Sequence, residues 1–350
     1  MGDLERVLVD HITQHGPIGF DEFQANALYA PDLGFYQHGG AGRRRDFLTS
    51  PEVGPLFGAV MARALDAWWD ELGRPDPFPV VELGAGPGTL ARTILASSLR
   101  CREALSLTLV ELGQAQWATH PEGAGSRTHL PQPGELGSGP LVVLANELLD
   151  NLPVAIVERT ADGWAEVVVD VVGGALVEAH RALDPAQLAW CAERAPDAGP
   201  GARIPVQAEA VACLAEAATL AAGGRVVFID YARTTTEMAV LPMGEWLRTY
   251  ADHGRAGSPL EDPGSCDITC DVAIDQLALL VEPTTTRSQA DFLRAHGIEE
   301  LEAEGRARWD ELGGLAGGLE AIAARSRVTE ADALLDPDGL GGFTVMEWVV

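Results

Sequence analysis

Residues 80–92 read VVELGAGPGTLAR: a short apolar run carrying Glu82, then three glycines and a proline within five residues, then a stretch able to open a helix at Thr89. Glycine reaches backbone conformations closed to other residues, and its missing Cβ lets a ligand approach the main chain. A buried strand, a glycine turn and a helix start form the first unit of a nucleotide-type α/β domain, whose ligands sit beyond the carboxyl ends of the strands. No other stretch constrains the fold as strongly.

The spacing narrows the ligand. The dinucleotide fingerprint G-x-G-x-x-G would place its third glycine where this chain has Thr89, so the pattern is G-x-G-x-G. With Glu82 inside the strand end, it favours a loop for S-adenosylmethionine (SAM). A nicotinamide-dependent oxidoreductase and a tight turn with no ligand remain as alternatives.

Around this loop the chain alternates. PEVGPLFGAVMARALDAWWDEL repeats apolar residues at helical spacing through Phe57, Val60, Met61, Ala64, Leu65 and Trp68. FPVVELG is the first central strand, a helix is expected over Thr89 to Leu99, and LSLTLVELG and PLVVLANELLDNLP supply further strands. Between 154 and 206, VAIVER, AEVVVDVV and ALVEAHRAL read as antiparallel strands, which interrupts the βαβ rhythm and suggests an inserted arm. VQAEAVACLAEAATLAA and RVVFIDYA restore the rhythm. LALLVEPTT and the terminal FTVMEWVV are expected to pair as closing strands, with helical material from about 287 to 335 between them. The division that follows is 1–75 as an N-terminal helical extension and cofactor-covering segment, 76–153 as the first part of the core, 154–206 as the β-rich arm, and 207–350 as the remainder.

Composition excludes several classes. With 52 acidic residues against 24 basic ones the formal charge is −28, so the surface repels nucleic acid, and the only arginine run is Arg43–Arg45. The same field either favours a cationic partner or serves solubility alone. No apolar stretch reaches the roughly 18 to 20 residues of a membrane span, and the N-terminus lacks a secretory pattern, so a soluble, cytoplasmic protein is expected. Five scattered cysteines suit reduced thiols, and no metal site is expected. The oligomeric state stays open, a homodimer included.

Glu111 ends the second strand, where α/β nucleotide-binding domains place the acid that accepts from ribose hydroxyls. Asn146, Glu147 and Asp150 emerge from an apolar strand at a position where such enzymes place reacting groups, although Asn146 and Asp150 also suit a turn cap. In RDFLTSPEVG, Ser50 and Pro51 read as a helix cap and first turn, which leaves Asp46 and Glu52 for a functional role. Asp230, Asp262, Asp267 and Asp271 cluster in the later sequence, as solvated turns or as a seat for a cation.

The stretches RDFLTSPEVGPLFG, VVELGAGPGTLAR, LANELLDNLPV, GGRVVFIDYA and LRTYADHGRAGSPLEDPGSCDITCDV, in this order, resemble the MidA-like family of SAM-dependent methyltransferases. GPIGFDEFQANALYAPDLGFYQ and TTTRSQADFLRAHGI extend the resemblance to roughly residues 15–300. That family includes the mitochondrial complex I assembly factor that methylates a protein arginine. The resemblance implies a Rossmann-like class I methyltransferase fold with a mostly parallel seven-stranded sheet, an N-terminal helical extension and an inserted antiparallel β arm. It implies a SAM site at Glu82, Gly84, Ala85, Gly86, Gly88 and Glu111, over which Asp46, Ser50 and Glu52 fold, with Asn146 and Glu147 opening the signature after the fourth strand; position in the fold, rather than the resemblance, makes Asn146, Glu147, Asp46 and Asp150 the expected catalytic set. Arg45 stands in place of a usual glycine, Leu148 and Leu149 replace two phenylalanines, Asn151 replaces alanine, and DVAI replaces HVDF.

The expected reaction is methyl transfer to a protein arginine, with Glu147 orienting the guanidinium ahead of Asp46, Glu52 and Asp150. The alternatives are a small-molecule acceptor, and a SAM-binding assembly factor without turnover.

Overall fold

The computed structural model describes residues 2–38, 49–251, 254–313 and 318–350. The chain divides into two compact units, one formed by Met1–Phe47, Leu149–Ala215 and Tyr231–Glu282, the other by Leu48–Leu148, Glu216–Asp230 and Pro283–Val350.

The second unit is built on a seven-stranded sheet. In chain order its strands are β1 (Phe78–Leu83), β2 (Leu105–Val110), β3 (Gly125–Arg127), β4 (Val142–Asn146), β5 (Arg225–Asp230), β6 (Thr285–Ser288) and β7 (Thr344–Val349). Their spatial order is β6-β7-β5-β4-β1-β2-β3. The five strands from β5 to β3 are mutually parallel, while β7 runs antiparallel to both β5 and β6. Every residue of β1 is buried, the mark of a strand covered on both faces rather than one alternating between core and water. After β3 the chain returns to the other side of β1, so the crevice between β1 and β4 lies at a topological switch point, where open α/β sheets bind their ligands.

The helix Pro55–Glu71 buries the expected stripe, with Phe57, Val60, Met61, Ala64, Leu65 and Trp68 in the core. At its first turn the buried Glu330 accepts a hydrogen bond from Leu56 N at 2.8 Å. Further along, Asp66 accepts from the main-chain N–H of Arg100 and Cys101 at 2.9 Å and so ties down the loop before β2.

The first unit contains the helices Asp3–His15 and Phe20–Tyr29 and the strands Ala155–Thr160, Gly163–Val172, Ala175–Ala182 and Arg203–Val206. These strands join Ile18–Gly19 in an antiparallel sheet. A three-stranded sheet of Leu247–Ala251, Gly254–Arg255 and Asp267–Cys270 belongs to the same unit. Their shared core includes Phe20, Phe23, Leu28, Ile156, Val167, Trp246 and Ile268.

Three local expectations are corrected. The terminal strand pairs with Thr285–Ser288 and not with LALLVE, whose start completes the short helix Ile274–Ala278. The helix after the glycine loop stops at Ala96. Thr49 occupies the cap position of the helix Ser50–Val53, with Ser50 inside it.

Candidate functional site

The glycine turn follows β1 directly. Gly84, Gly86 and Gly88 have φ of 63°, 51° and 71°, and Gly88 caps the helix that begins at Thr89. All three positions are left-handed, which accounts for the residue type without reference to any ligand. Ala85, between the first two, is buried, and its N–H donates to Val110 O at 3.1 Å.

Two acids flank the loop differently. Glu82 is buried within β1, and burial pushes its carboxyl up to about 8, partly offset by the hydrogen bond it accepts from Ala91 N. Glu111, just after β2, accepts from Gly86 N at 2.9 Å through one oxygen and from Gly113 N at 2.6 Å through the other. Glu111 therefore holds the loop it was expected to serve.

Across the switch point, Glu147 has φ 52°, a left-handed conformation costly for a residue with a side chain. Its N–H still donates to Ile229 O at 2.8 Å, which extends the β5 pairing past the end of β4. Glu147 Oε1 receives Asn146 Nδ2 at 2.8 Å and the main-chain N–H of Ser50 at 3.1 Å. Ser50 is fully buried, and its hydroxyl donates to Gln289 Oε1 at 3.1 Å while its main chain meets Glu147. Leu148 packs against the loop: a Cβ added at Gly84 would fall 2.8 Å from Leu148 Cδ1.

Glu52 Oε2, Glu82 Oε2 and Asn146 Oδ1 are buried and have no hydrogen-bond partner among the described residues. Buried acceptors rarely remain unsatisfied. The two at the strand ends by the switch point, Glu82 and Asn146, suit a ligand that brings its own positive charge and hydroxyl groups.

Asp150 lies at the start of the segment Leu149–Ala215 of the first unit. Burial pushes its carboxyl up to about 7, Arg248 draws it down and Asp271 raises it. Asp271 lies 2.6 Å from both Arg248 Nη2 and Arg233 Nε. Asn151 donates to Asp267 Oδ1 at 2.9 Å, and the Tyr36 hydroxyl lies 2.9 Å from Asn151 Oδ1 and 3.2 Å from both oxygens of Asp267. The aspartates of DITCD are thus buried and partnered, where a solvated turn was the plainer expectation. Asp46 lies outside the described residues. Tyr36 was not singled out in the sequence, because a lone tyrosine carries no local signal.

A family described as "Putative S-adenosyl-L-methionine-dependent methyltransferase" matches residues 60–291, more than half of the chain. The chain belongs to this family. It is the MidA-like family that the series of motifs resembled. A superfamily member from Burkholderia thailandensis, solved with S-adenosyl-homocysteine bound, superposes with a TM-score of 0.82 at 28% identity, covering 99% of this chain and 92% of that one. The "Protein arginine methyltransferase NDUFAF7 homolog, mitochondrial" of Drosophila melanogaster is 29% identical over 77% of this chain and 68% of its own length. The human protein arginine methyltransferase NDUFAF7 is 26% identical over 84% and 73%. This MidA-like protein is accordingly a SAM-dependent methyltransferase with the α/β methyltransferase fold. The expected cytoplasmic location is withdrawn: these relatives are named mitochondrial, and a lack of secretory features does not discriminate between those compartments.

Proposed function

We propose that this methyltransferase acts on an arginine side chain of a protein, with Glu147 as the carboxylate that receives the guanidinium. The observation that carries the proposal is the strained, doubly anchored Glu147 at the end of β4, on the switch-point crevice that the glycine loop also borders. Strain of this kind persists only where surrounding structure enforces it, and it collects at working sites. The names of the Drosophila and human relatives point to the same acceptor.

The residues present fit SAM. The glycine loop, Ala85 and Glu82 would hold its amino-acid end and Glu111 its ribose, with Glu52 and Asn146 offering further acceptors. Bound there, SAM supplies a methyl group made electrophilic by its sulfonium. The protein contributes orientation and electrostatics. A guanidinium is charged at any physiological pH, and a carboxylate can accept two of its N–H groups, which aligns it and concentrates electron density on the remaining nitrogen. That nitrogen would take the methyl as the sulfonium's methyl–sulfur bond breaks with its electron pair left on sulfur, and would release one proton to solvent, so the product stays cationic. The net charge of −28 favours the approach of such an acceptor.

The test is to incubate the purified protein with methyl-labelled SAM and a protein extract, then hydrolyse and separate the amino acids. Labelled methylarginine is expected, with Glu147→Gln lowering it by about 100-fold or more. Label confined to small molecules would overturn the protein acceptor, and an unimpaired Glu147→Gln would overturn the clamp.

A further inference from the structure

The short helical turn Gln114–Thr119 and the residue after it close onto the glycine loop. His120 Nε2 lies 2.9 Å from Gly86 O, and its Nδ1 lies 2.7 Å from Ser126 Oγ. A carbonyl only accepts, so Nε2 carries the proton and Nδ1 accepts from the Ser126 hydroxyl. Gly86 is thereby held at both ends, its N–H by Glu111 and its carbonyl by His120. The next carbonyl, Pro87 O, lies 2.9 Å from the Thr119 hydroxyl, which is also within reach of Gln116 O at 2.7 Å. A Cβ added at Gly88 would fall 3.1 Å from His120 Cδ2, so the ring also packs on the third glycine.

We propose that His120 is a positioning residue for the cofactor loop, fixing the peptide planes of Gly86–Gly88 through its Nε2–H bond to Gly86 O and its ring contact at Gly88. The proposal rests on the assignment of this loop to SAM. Loop peptides free to rotate would have to be ordered when the cofactor binds, and the latch removes that cost beforehand.

Two variants separate the hydrogen bond from the packing. His120→Phe keeps a ring beside Gly88 and loses the donor, whereas His120→Gln offers an amide N–H at similar reach. Affinity for S-adenosyl-homocysteine, measured by calorimetry, is expected to fall about tenfold in His120→Phe and to stay within about threefold of wild type in His120→Gln. In the ligand-free protein the amides of Gly86, Gly88 and Thr89 should exchange hydrogen faster in His120→Phe than in wild type or His120→Gln. Wild-type affinity in His120→Phe, or an equal loss in both variants, overturns the latch. Should the wild type itself fail to bind S-adenosyl-homocysteine, the cofactor assignment falls separately, and unchanged loop exchange in His120→Phe would still overturn the latch.

Discussion

Glu82 sits fully inside the sheet with one oxygen on Ala91 N and the other without a partner among the described residues, which makes the ligand-free site a source of instability. Its carboxyl, pushed up to about 8 by burial, keeps a proton in the folded chain that the unfolded chain releases near 4.5. Its contribution is therefore fully present below about 4.5 and is lost as pH rises through about 8, at roughly 1.4 kcal/mol per pH unit. Without ligand, melting temperature should drop between pH 6 and pH 8, and Glu82→Gln should flatten that drop while weakening S-adenosyl-homocysteine binding about tenfold or more. Parallel pH slopes in the two proteins would show that the carboxyl does not titrate as described. At this scale the glycine loop was legible because a left-handed φ selects glycine locally. The bond from Glu111 to Gly86 was not, since a carboxylate at a strand end serves a ribose or a main-chain N–H equally well. Nor was the Tyr36–Asn151–Asp267 group, whose members lie 115 to 231 residues apart in sequence.

The helix Pro55–Glu71 has no side-chain cap of its own, because Gly54 precedes it. Glu330, from the helix Gly318–Leu335, supplies the acceptor at Leu56 N and places a negative charge at the helix N-terminus. Gly54 is glycine for the same reason: a Cβ there would fall 2.2 Å from Glu330 Cδ. Glu330→Ala should cost about 2–3 kcal/mol in urea unfolding. Gly54→Ala should also destabilise, but markedly less in the Glu330→Ala background, where the obstructing carboxylate is gone. Additive costs would mean that the two residues do not share one site. Apolar periodicity disclosed this helix but could not disclose a cap 274 residues away. Buried strands were equally legible, β1 above all. The partner of the terminal strand was misassigned because β6 is an edge strand, half exposed and written TTRS, while the apolar LALLVE nearby offered a stronger but misleading pattern.

For the whole molecule, 52 acidic residues against 24 arginines create a field that acts on the fold and on the acceptor in opposite senses. Many of the arginines are already engaged at short range, as where Arg203 meets Glu158 and Glu178 at 2.7 and 2.6 Å and Arg225 meets Glu347 at 2.8 Å. Salt screens such close, partly buried pairs weakly, but it screens the long-range repulsion among the surplus carboxylates strongly, since the screening length shrinks from about 30 Å at 0.01 M to about 10 Å at 0.1 M. Raising sodium chloride over that interval should therefore increase resistance to urea. The same salt weakens the attraction that gathers a cationic acceptor, so kcat/KM for an arginine-bearing protein should fall severalfold. The pairing of the two slopes is what discriminates. An uncharged small acceptor would leave kcat/KM level while stability rose, and a fall in both would point to loss of a specific ion pair within the fold rather than to screening of the field at large.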